Sequence, residues 1–90
     1  MASMILKFPN LSRSYNAAKQ CVRFRGYDTV FEISFDLAED ALRCLSPGVA
    51  PDETSLLTVF DRHRDRIEHV ANALYSRQRK QFLELSASDF

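Results

Sequence analysis

Residues 18–35 read AKQCVRFRGYDTVFEISF, and the period of two in this stretch decides the fold. Val22 and Phe24 fall on one side of an extended chain, with Cys21, Arg23 and Arg25 on the other. Further on, Phe31, Ile33 and Phe35 alternate with Val30, Glu32 and Ser34. Two alternating runs around a short glycine-containing loop predict an antiparallel hairpin with one apolar face, turning at Gly26-Tyr27-Asp28. The arginines then look away from whatever covers the phenylalanines.

On the N-terminal side, Met4 to Phe8 is a short apolar run ended by Pro9 and predicts a first strand. Residues 10–16 are polar and read as a loop. On the C-terminal side the period changes from two to 3.6. Asp36 and Glu39 have the spacing of a helix cap, and Ala38, Ala41, Leu42 and Leu45 form an apolar stripe that Ser46-Pro47-Gly48 ends. Pro51-Asp52-Glu53 opens a longer helix, read as continuous to Tyr75 or Arg77, with Leu56, Phe60, Ile67, Val70 and Leu74 on its inner face and Val59 and Ala71 on its edges. Phe82, Leu83 and Leu85 read as a closing strand, although a frayed helix end has similar residues. The order β-β-β-α-α-β predicts an α+β domain: an antiparallel sheet of three to four strands with two helices on one face. The expected core is Phe8, Val22, Phe24, Phe31, Ile33, Phe35, Leu42, Phe60, Ile67 and Leu74.

A chain of 90 residues allows one domain over 1–90, and its 46% hydrophobic and 27% charged residues are those of a globular protein. Cys21 and Cys44 are too few for a disulfide scaffold, which predicts reduced thiols and a cytoplasmic location. Neither an apolar run long enough to span a membrane nor a charged-then-apolar leader is seen, so no membrane partner is expected. Twelve Lys and Arg cancel twelve Asp and Glu, so no overall field draws the chain onto nucleic acid or acidic lipid. The charge is nonetheless segregated. Residues 1–27 hold five bases and no acid, whereas residues 28–61 hold eight acids against Arg43.

Candidate chemistry is thin. His63 falls inside the apolar arc of the long helix without a ligand partner at i+4, where Ile67 stands, and His69 lies on the opposite face. A histidine at the rim of the core satisfies the same pattern, and the sequence leaves structural and functional readings open. His63-Arg64-Asp65 spells a kinase catalytic-loop tripeptide, but in mid-helix and without a glycine loop. Cys21 lies between Lys19 and Arg23, whose charge favours a thiolate, yet no second cysteine is spaced to resolve it. Cys44 is expected in the core. No catalytic residue, metal ligand set or cofactor site is predicted, and the chain is expected not to be an enzyme.

Two binding surfaces remain. Leu57, Arg64 and Tyr75 share a helical angle beside the main stripe and widen its apolar arc to about 160°, more than packing on one sheet requires. Leu, Tyr and Arg make up a contact surface for a second copy or another protein, with core-edge packing as the plain reading. Lys19, Arg23 and Arg25 on the outer sheet face are the candidates for contact with nucleic acid. Against that, the aromatics that would stack on bases face the helices, apart from Tyr27.

Phe8-Pro9, Ser14-Tyr15-Asn16, Val22-Arg23-Phe24, Gly26-Tyr27-Asp28 and Ile33-Ser34, followed by Ala41-Leu42, Phe60, Arg64, Ile67, Ala71 and the closing Asp89-Phe90, resemble the small proteobacterial proteins grouped as domain of unknown function 1488. The resemblance covers nearly the whole chain. It implies a stand-alone bacterial α+β domain and brings no activity, cofactor or catalytic residue. Arg64 stands out in it as a charge at a core-edge position, with Glu32 or Asp89 as the expected partner.

Overall fold

Alternation forms the hairpin expected of it, but the turn lies further along the chain. In the computed structural model, which describes residues 5–90, β2 (Cys21–Asp28) pairs antiparallel with β3 (Phe31–Ala38), and Asp28 faces Phe31 across a two-residue turn. Thr29 carries the positive φ of that turn, at 56°. Gly26 is therefore not a turn residue. It lies within β2 because the ring of Phe8 packs on it: a Cβ there would meet Phe8 Cε1 at 2.7 Å.

Two segments read differently once folded. The polar stretch after Pro9 supplies β1 (Arg13–Asn16), an edge strand antiparallel to β2. Short polar sequences suit an edge, since only one side of the strand needs partners. Of the expected strand Met4 to Phe8, Met4 lies outside the described residues, and the remainder contributes a single bridge between Lys7 and Tyr27. The amides of Ile5 and Leu6 donate instead to Asn72 Oδ1 (2.8 and 3.0 Å), tying this segment to a helix rather than to a ladder.

The third change comes at Asp36. The strand runs through it to Ala38, so Asp36 caps nothing, and α1 (Glu39–Leu45) begins without a side-chain cap. Leu37, next to the expected cap, is a fully buried strand residue. The long helix divides into α2 (Glu53–Arg62), capped by Asp52, and α3 (Arg64–Gln78). His63, with φ −108° and ψ 19°, leaves helical geometry while its backbone still bonds Val59 and Ile67. Then β4 (Phe82–Leu85) closes the sheet beside β3 in parallel, giving the order β1-β2-β3-β4. The sheet is thus mixed, not purely antiparallel, with three helices, not two. A parallel neighbour needs a crossover, and α1 to α3 supply it.

Inside, Phe24 and Phe35 stack at 5.1 Å between centroids and Phe60 of α2 tilts onto Phe24 at 5.2 Å. Val22, Ile33, Leu42, Leu56, Ile67, Ala71, Leu83 and Leu85 complete the buried layer. Phe31 does not join it. It has inward parity but sits at the hairpin tip, beyond the helices, and is 57% exposed. Phe8 packs on the core from its rim, and Cys44 is exposed rather than buried.

Gly26→Ala should destabilise the fold by about 1–3 kcal/mol through overpacking against Phe8. Urea denaturation in a Phe8→Ala background should remove most of that loss. An equal loss in both backgrounds would mean that the ring is not what excludes the methyl group.

Candidate functional site

Helices cover one side of the sheet; the other side is open. Strand parity sends Cys21, Arg23, Arg25 and Tyr27 of β2 to that open side, together with Glu32, Ser34, Asp36 and Ala38 of β3 and Phe82 and Glu84 of β4. Arg23 and Arg25 therefore lie where alternation puts them. Each has an acidic neighbour. Arg23 holds Asp36 through two parallel bonds, Nε to Oδ1 at 2.7 Å and Nη2 to Oδ2 at 3.0 Å, and its guanidinium lies 5.6 Å above the ring of Phe82. Arg25 Nε stands 3.4 Å from Glu32 Oε1, and Tyr27 Oη donates to Glu32 Oε2 at 2.9 Å.

Register explains the pairing. Arg23 is directly opposite Asp36, which is opposite Glu84, so one base and two acids lie level across three strands. At the end away from the hairpin tip, a groove of about 300 Å³ opens among Lys19, Cys21, Asp36, Glu84 and Ser86. Cys21 is buried at its wall. Burial pushes its thiol above the ordinary range, and the Asp36 carboxylate raises it further against the weaker pull of Arg23 and Lys19. Flanking bases suggested an activated thiolate; burial first, and then the acid across the ladder, neither visible in the linear sequence, reverse that sign. A protonated thiol beside a carboxylate whose oxygens are both held by Arg23 offers no ready nucleophile or base.

The other proposed surface lies on the helices, and its residues turn inward. Tyr75 is only 6% exposed and its Oη donates to Asp28 Oδ2 at 2.7 Å. Arg64 lies 4.9 Å above the Phe60 ring and donates through Nη2 to the Leu11 carbonyl (3.0 Å) and Asp61 Oδ1 (3.1 Å). Its acidic partners are thus Glu68, at 3.9 Å, and Asp61, which Arg13 also grips and holds below the usual carboxylate range. Glu32 is on the opposite face of the sheet, and Asp89 is occupied in capping Ser86. Leu57 is half-buried against the core. Arg64 fastens the N-terminal loop to the helices and Tyr75 fastens the hairpin tip to them. His63 is half-buried at the break between α2 and α3, while His69 is exposed. No group of three or more metal-ligating side chains gathers among the described residues, and no helix there is long and apolar enough to cross a membrane.

Three residues of the open face were not anticipated as a set: Asp36, Phe82 and Glu84. The signal was present for the last two, since Phe82-Leu83-Glu84-Leu85 alternates and its outward pair follows once Leu83 and Leu85 are inside. The matching family model carries the description Protein of unknown function (DUF1488) and covers residues 6–85. The chain belongs to that family. The match begins at buried Leu6 and ends at buried Leu85, so the whole four-stranded sheet and all three helices lie within the DUF1488 unit. Neither a curated protein nor a solved structure matches the chain.

The two thiols should react at very different rates. With a colourimetric disulfide reagent at neutral pH, exposed Cys44 should titrate at once and Cys21 only as the protein unfolds. Two equally fast thiols in the folded chain would contradict the protonated, enclosed state of Cys21.

Proposed function

We propose that this chain is a non-enzymatic interaction module of the bacterial cytoplasm and that its open sheet face binds a second copy of itself. One observation carries the reading: Lys19, Arg23 and Arg25 form a basic row on and before β2, beside the exposed acids Glu32 and Glu84 on β3 and β4. A two-fold axis running along the strands between β2 and β3 lays each basic row over the partner's acids. Such self-complementarity is what an isologous dimer needs. Phe82, 43% exposed, and Tyr27 add aromatic anchors within the charged field, and both belong to residue types enriched at protein interfaces. The free thiols of Cys21 and Cys44 favour a reducing compartment.

Nucleic acid is the second reading, through Lys19, Arg23 and Arg25. It is the weaker one, because Glu32 and Glu84 share the face with these bases and repel phosphates, whereas a second copy brings bases to meet them.

Sedimentation over a concentration series tests the dimer. Wild-type chain should associate reversibly, more weakly as salt rises, and Arg25→Glu or Phe82→Asp should each weaken association at least about tenfold, equivalent to about 1.4 kcal/mol. Both sites are exposed, and circular dichroism checks that each variant is folded. A single-chain mass throughout the series would overturn the dimer, and retention on immobilised nucleic acid that falls steeply with salt would favour the second reading.

A further inference from the structure

Folding gathers at one corner what the sequence spreads over seventy residues. Val30 and Phe31 stand side by side at the tip of the β2–β3 hairpin, 87% and 57% exposed. The same corner is basic. Tyr75 and Arg79 both reach Asp28, at 2.7 and 3.8 Å, which fixes the C-terminal end of α3 against the tip. Arg77, Arg79 and Lys80 are therefore there, all exposed, and Lys7 joins them through its paired backbone bonds with Tyr27. Asp28 offsets Arg79, and Glu32 offsets Arg25. Among the described residues, Lys7, Arg77 and Lys80 remain as a surplus of positive charge beside two protruding apolar side chains.

The geometry points to a peripheral membrane contact in which this tip docks on an anionic lipid surface. Val30 and Phe31 enter the headgroup boundary while Lys7, Arg77 and Lys80 face the lipid phosphates. Apolar side chains ringed by cations are what a negatively charged interface takes up. Shape argues for lipid over an acidic protein. Protein hot spots seat in pockets, whereas Val30 and Phe31 stand exposed at a hairpin tip and the groove of the sheet lies at the far end of β2 and β3. A bilayer receives protruding side chains with no pocket of its own. The zero net charge of the chain hides this corner, because the compensating acids lie elsewhere. The contact uses the end of the sheet and not its face, so it stands independently of the dimer.

Flotation of the full chain with phosphatidylcholine vesicles, with and without phosphatidylserine, tests it. Wild type should float with the anionic vesicles at low salt, not with phosphatidylcholine alone, and less as salt rises. Arg77→Glu and Lys80→Glu should each weaken binding roughly fivefold or more, and Val30→Asp should abolish it. Leu11→Asp, at an exposed apolar site on the N-terminal loop (63%), should change nothing. Circular dichroism confirms that each variant is folded. Absence of flotation at low salt overturns the proposal and returns the tip to an acidic protein partner. Flotation indifferent to Val30→Asp and Lys80→Glu overturns it as well.

Discussion

Asp36 keeps 4% of its surface in water, although it lies on the side of the sheet that no helix covers. Arg23 makes this possible by holding both carboxylate oxygens in a planar fork. The two residues are direct cross-strand partners, so the pair forms only in the register that also stacks Phe24 on Phe35 beneath α2. A slip of one residue would send either Asp36 among the phenylalanines or Arg23 under the helices, with its partner left on the other face. A buried carboxylate without its partner is far more costly than an intact pair is stabilising. The pair therefore acts as a lock on register, and strand parity, core and outer face all follow from it.

The outer face is a consequence of that lock. With Arg23 drawn onto Asp36, its guanidinium lies over Phe82 and links three strands, while Cys21 is enclosed and kept protonated. What is left on the surface is a field of opposed charges and two aromatic rings, which suits recognition. On the covered side, arginines play the opposite part. Arg13 and Arg64 converge on Asp61, so that β1, α2 and α3 meet at one carboxylate.

Much of the fold was legible in the sequence. The β2–β3 alternation, the outward arginines, the stop at Ser46-Pro47-Gly48 and the closing strand at Phe82 all have local causes that neighbouring residues display. The misreadings have non-local ones. Asp36 looks like a helix cap because its neighbours are helical, and only a partner thirteen residues away makes it a strand residue. Gly26 looks like a turn until Phe8 is seen to pack on it. Tyr75, Arg64 and Leu57 share a helical angle, but the break at His63 and the reach of Asp28, Asp61 and Leu11 toward them cannot be read from periodicity. The parallel placement of β4 likewise depends on how three helices cross over the sheet.

The most direct test is a double-mutant cycle on the register lock, read as denaturation midpoints for Arg23→Met, Asp36→Leu and the two combined. The account predicts that each single variant is markedly less stable than wild type, and that the double variant, with no charge left to strand, is more stable than the single losses added together. A double variant no better than that sum would mean that Arg23 and Asp36 act separately, and that something else sets which face of the hairpin meets the helices.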